Sequence, residues 1–183
     1  MEYQFDFNIE KAIESILYIL ELLENKVQPT IHRVSKVLYF ADKEHLERYG
    51  RFIFGDRYYA MKHGPVPSQI YNLVKLVRGD LSPSFQPPRE ISEQVLQAFK
   101  IVDKHNIKKL REPNTDFLSA SDIECLEHSA TKYGSLSFEE LTNLSHDRAW
   151  ESADENDIID VEDIIKTFDN SVELLEHLQD PNP

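Results

Sequence analysis

The chain has 183 residues, 40% of them hydrophobic, which is enough for one folded domain with a substantial core. Its formal charge is −13 and it has a single cysteine, Cys125, so neither an intramolecular disulfide nor a cysteine zinc cluster can form. No apolar run approaches the length needed to span a bilayer, and the five glycines are dispersed, so no phosphate-cradling glycine loop is present.

From the N-terminus, apolar residues at Ile9, Ile13, Ile16, Leu20, Leu23 and Val27 form a one-faced helical stripe, with Asn8 as its N-cap. A second helix is predicted from Ile31 to Tyr49, capped by Thr30 and ended by Gly50. Its apolar positions spread beyond one stripe, through Val37, Tyr39 and Phe40, so it is expected to be buried on more than one side. From Phe52 to His63 the period changes. Gly55-Asp56 signals a turn, and Tyr58, Ala60 and Lys62 alternate with Tyr59, Met61 and His63, as in a strand forming half of a small hairpin. The run His63-Gly64-Pro65-Val66-Pro67 then reads as a stiff turn. The residue before a proline is pushed towards extended backbone, glycine can take positive φ, and Pro67 suits a helix start. The helix that follows is predicted from Ser68 to Arg78, stopped by Gly79.

Pro83, Pro87 and Pro88 make 80–90 a loop. Ser92 is expected to cap a helix reaching about Lys104 and burying Val95, Leu96, Phe99 and Val102, after which Ile107 to Arg111 could return as a strand beside the first. Ser119 with Asp122, and Ser137 with Glu140, start two further helices, the second a capping box with a Leu136–Leu141 staple. His146 to Trp150 reads as a connecting loop. The acid-rich run Glu151 to Asp163 leads into a last helix, 160–179, with its stripe at Ile164, Ile165, Phe168, Val172, Leu175 and Leu178. The expected fold is mainly α, a single helical domain of about six or seven helices with a small β-hairpin element, spanning 1–183.

The most particular stretch runs from Lys36 to Pro67: K-V-L-Y-F-A-D at Lys36–Asp42, then G-D-R-Y-Y-A-M-K-H-G-P-V-P from Gly55. It resembles the Panacea domain, also called the SocA-like antitoxin domain, where K-x-L-Y-F-A-D is followed by G-D-x-Y-x-A-x-x-H-G-P-V. A second, weaker match supports it: Leu118-Ser119-Ala120-Ser121-Asp122, Tyr133-Gly134-Ser135-Leu136-Ser137, Glu140-Leu141, Leu144-Ser145-His146 and Trp150. The chain departs at Thr142 and Ser145, where the family usually has Ser and Thr, which are conservative exchanges. The resemblance covers about residues 30–150. It implies a bacterial or prophage antitoxin, cytoplasmic, that neutralises a co-encoded toxin by direct occlusion. The alternative that it also implies is a proteolytic adaptor handing the toxin to a AAA+ protease. It marks Lys36, Leu38, Tyr39, Phe40, Asp42, Gly55, Asp56, Tyr58, His63, Gly64, Pro65, Val66 and Trp150 as motif residues that fix the fold.

The residues themselves favour protein binding over catalysis. Asp42 and His45 share a helix face and, with His63, could form a three-ligand site for a metal-dependent hydrolase, but the expected assignment is no catalytic set, no metal and no cofactor. The helices after Ser119 and Ser137 are spaced like a helix-turn-helix. The second, Phe138 to Ser145, has no Lys or Arg and carries Glu139 and Glu140, so direct nucleic-acid binding is not expected. Charge is unevenly divided. Residues 1–111 hold 17 Lys and Arg against 14 Asp and Glu, a net of +3, and residues 112–183 hold 3 against 19, a net of −16. Such a half repels phosphates and speeds the capture of a basic partner. Aromatic residues cluster near the motif, and aromatics anchor interfaces as well as build cores. The candidate partner-binding residues are Tyr58 and His63, on opposite faces of the predicted strand, and Asp154, Glu155, Asp157 and Asp160 of the acidic half.

Overall fold

The computed structural model describes Tyr3 and residues 5–179. Three helices form its centre: α1 (Ile9–Leu23), α2 (Ile31–Tyr49) and α5 (Ala120–Tyr133), packed on one another. Asn8 and Thr30 cap α1 and α2 by accepting backbone N–H groups of Lys11 and Arg33, and Gly50 closes α2 at φ +70°. The main core joins Leu17, Leu38, Leu73, Phe99 and Leu126. A second core gathers Tyr39, Leu46, Tyr58, Ile159, Ile164 and Phe168, so α2 is buried by two different layers, as its wide apolar surface requires.

Strands β1 (Tyr58–Met61) and β2 (Gly64–Pro67) form the expected antiparallel hairpin, with Tyr58 and Ala60 buried and Tyr59 and Met61 half-buried. Helix α3 (Ser68–Arg78) leaves directly from β2, and α4 (Arg89–Ala98) follows the proline loop. Here the structure departs from the sequence reading. Pro88, not Ser92, is the N-cap, the helix ends at Ala98, and Leu96 is exposed. Phe99–Val102 is strand β3, paired with β4 (Asn106–Lys109), so the second strand lies beside β3 and not beside β1. In the β-rich run Phe99-Lys100-Ile101-Val102, Phe99 is buried, Lys100 exposed and Ile101 and Val102 half-buried, and Asp103 and Lys104 turn it back at positive φ.

A short 3-10 turn (Thr115–Phe117) precedes α5. Capping boxes at Ser119–Asp122 and Ser137–Glu140 start α5 and α6 (Phe138–Ser145). The expected connecting loop after α6 contains a single helical turn, α7 (Arg148–Glu151), capped by Asp147. The expected last helix is two, α8 (Val161–Ile165) and α9 (Ser171–Gln179), broken at Thr167–Asn170, and Val172 is exposed instead of lying on the buried stripe. The architecture is mainly helical, with nine helices and two small antiparallel hairpins among the described residues.

Candidate partner-binding surface

The two halves of the Lys36–Pro67 stretch bind to each other. On α2, one turn apart, the side chains of Lys36, Tyr39 and Asp42 point into the hairpin layer. Lys36 is 1% exposed and its ammonium donates to the carbonyl of Pro65 at 2.7 Å. Burial without a carboxylate partner lowers its pKa to about 7. Tyr39 donates to Asp147 at 3.0 Å, and Lys43 donates to the same oxygen. Phe40 stacks on Tyr133. Asp42 is fully buried and accepts the Ile53 N–H and the Tyr58 hydroxyl, while burial raises its pKa to about 8.

Asp56 explains the Gly-Asp pair. Helix α3 begins at Pro67, which has no capping side chain. Asp56 supplies the cap from a distance, accepting backbone N–H groups of Gln69 and Ile70 and the Ser68 hydroxyl. Gly55, at φ +71°, lies against the carbonyl of Asp6, where a Cβ would sit 2.3 Å away.

The turn between β1 and β2 is held from α7 and from α2. Trp150 of α7 donates its indole N–H to Met61 O at 3.0 Å. Lys36 holds Pro65. Gly64, at φ +97°, closes the turn so tightly that a Cβ would meet Ser145 Oγ at 2.2 Å and Lys36 Nζ at 2.9 Å. Burial and then the nearby Lys36 lower the His32 pKa to about 4, so this imidazole is neutral at pH 7.

The expected partner residues separate. Tyr58 is 1% exposed, its hydroxyl held by Asp42, so it belongs to the core and not to a free surface; aromatic enrichment near a motif could not distinguish the two. His63 is exposed, with its ring edge-on to Phe138 at 5.3 Å. Asp154, Glu155, Asp157 and Asp160 are all exposed. Their segment is not a free tail. Its backbone joins β1 through an isolated antiparallel bridge, Ile158 opposite Tyr59, with Asn156 N–H to Ala60 O, Ala60 N–H to Asp157 O, and Ile159 N–H to Tyr58 O, each 2.8 Å. Glu162 and Asp163 share an ion pair with Lys166, whereas among the described residues no salt bridge reaches Asp154, Glu155, Asp157 or Asp160. The acidic arm and the His63 turn thus flank one hairpin. Sequence reasoning missed Phe138, half exposed and packed on both His32 and His63.

Asp42, His45 and His63 are not brought together. Asp42 is engaged by Ile53 and Tyr58, His45 lies between the carbonyl of Arg51 and the Ser121 and Asp122 side chains, and His63 is on the surface turn. Around Asp122, burial alone would raise the carboxyl, but hydrogen bonds from His45, Lys11 and Ser119 hold it well below the usual carboxylate range. That cluster ties α1, α2 and α5 together. No described helix is long and apolar enough to cross a membrane.

Comparison with known proteins gives one result. The family model described as "Antitoxin SocA-like, Panacea domain" matches residues 34–151, a span that begins in α2 and ends with α7. Neither the curated proteins nor the solved structures give a match. The matched span contains the interlocked Lys36–Pro67 stretch, the Asp56 cap and the Trp150 clamp, and on that ground the chain belongs to the SocA-like antitoxin, Panacea domain family.

Proposed function

We propose that this protein is a cytoplasmic antitoxin that neutralises a basic toxin, encoded beside it, by direct occlusion. Membership of the antitoxin family supports a role in a toxin–antitoxin pair. The observation that carries the finer reading is the acidic arm. Four exposed carboxylates, at Asp154, Glu155, Asp157 and Asp160, lie on a segment whose backbone is fixed along β1, without neutralising partners among the described residues. A fixed array of like charge steers a complementary surface and raises its association rate. The same array disfavours phosphate backbones, which supports a protein partner rather than nucleic acid.

Occlusion requires no chemistry from the antitoxin, only a stable complex that covers the toxin's working surface. The test is co-expression with the product of the neighbouring gene, read by growth and by pull-down. Rescue of growth with a stable one-to-one complex is the expected result. Rescue that disappears in a protease-deficient host would replace occlusion with delivery to a AAA+ protease. A neighbour that is neither toxic nor bound would overturn the proposal.

A further inference from the structure

We infer that Phe138 is the anchor of the partner interface, a preorganised aromatic face that receives an arginine from a basic protein surface. This rests on the antitoxin reading and locates its contact. Phe138 is the first residue of α6 and is 52% exposed. An exposed phenylalanine on a mobile side chain would be unremarkable. This one is fixed on two sides. Its ring lies 4.1 Å from the His32 ring, tilted by 31°, and 5.3 Å from the His63 ring at 66°. His32 is itself held by Thr142 at 3.2 Å, and His63 sits on the clamped turn. The capping box at Ser137 and Glu140 fixes the backbone under the ring. Little side-chain freedom is left to lose on binding, which is the property of an interface hot spot.

The chemistry of the rim selects the occupant. Glu139, next in the chain, is exposed and has no salt bridge among the described residues. A planar guanidinium is recognised by stacking on an aromatic ring and donating to a carboxylate, and in the first turn of α6 Glu139 is the carboxylate not already held by the Ser137 cap, as Glu140 is. His32 is neutral at pH 7 and does not repel it. Position adds the second argument. The acidic arm pairs with the outer edge of β1, β2 completes the hairpin, and α6 packs against β2. The arm and α6 thus both lie against the same hairpin, the arm along β1 and α6 against β2.

The experiment uses the full chain co-expressed with the product of the neighbouring gene, with dissociation rates measured on the purified complex. Phe138→Ala is expected to speed dissociation on the order of 30-fold or more, with far-UV circular dichroism unchanged. Glu139→Lys is expected to weaken the complex in the same direction, and Phe138→Tyr to retain it. If wild type binds while Phe138→Ala dissociates no faster, the anchor lies elsewhere, even where charge reversal on the arm still slows capture. If Phe138→Ala weakens binding but Glu139→Lys does not, the occupant is not an arginine and the stated chemistry is overturned. If the wild-type chain forms no complex, the failure belongs to the antitoxin reading on which this inference rests.

Discussion

The carboxylate of Asp56 accepts the backbone N–H of Ile70 at 2.9 Å, capping a helix from outside its own sequence neighbourhood. Pro67 occupies the N-cap position with no side-chain acceptor, so the first turn of α3 depends on Asp56. Replacing Asp56 by Ala removes the acceptor for Gln69, Ile70 and Ser68 in a buried site. A loss of about 2–4 kcal/mol in unfolding free energy is expected from urea denaturation. A loss below about 0.5 kcal/mol would mean that α3 is stabilised by its packing alone.

Lys36 sets a pH dependence. Its pKa is lowered by burial to about 7, against about 10.4 for a free lysine, so between these values the unfolded chain binds more protons than the folded one. Stability from this group therefore rises as pH is raised from about 7 to about 10, with a slope of up to about 1.4 kcal/mol per pH unit. Lys36→Met removes the titration and is expected to flatten the stability curve over that window. Near pH 6, where wild type carries a buried charge with no carboxylate partner, the variant is expected to be at least as stable. Parallel curves for the two proteins would show that the ammonium is not desolvated.

Gly64 is constrained by both conformation and space. At φ +97° an L-residue is strained, and its Cβ would overlap Ser145 Oγ. Gly64→Ala is expected to cost about 2–4 kcal/mol. Ser145→Ala removes the overlapping atom, so the double variant is expected to recover part of that cost but not the backbone strain. Strict additivity in the double-mutant cycle would show that the two sites do not touch.

Reversing charge on the arm separates capture from retention. Lys at positions 154, 155, 157 and 160 is expected to lower the association rate with the toxin by about tenfold or more at low salt and to flatten its salt dependence. Stopped-flow mixing at two ionic strengths reads both. The fold is expected to persist, because the arm pairs with β1 through backbone groups.

Much of the fold was legible because its signals are local. Asn8, Thr30, Ser119 and Ser137 cap helices a few residues ahead of them, and each does so as read. The strand at Phe99–Val102 was read as helix because Asp103 and Lys104 make the turn without glycine or asparagine. The last helix was read as one because its apolar period continues across the break at Thr167–Asn170. At the candidate surface, the order of residues marked Lys36, Asp42 and Asp56 as a motif, but not what each holds. Their partners lie far along the chain, at Pro65, Tyr58 and Ile70. Phe138 carries no sequence signal beyond its place after a cap, and its contacts arise only when α2 and the hairpin bring His32 and His63 against it.

The bridge that residues 156–159 make to β1 has a second consequence. Its backbone is occupied with Tyr58 and Ala60, so a partner approaching on this side finds carboxylates and no open row of amides. Removing the segment would do more than discharge the surface. It would uncover an unsatisfied strand edge beside a buried tyrosine, the kind of edge through which chains stack on one another. The same few residues thus carry the surface charge and cover the edge, and a chain shortened by their removal is expected to precipitate.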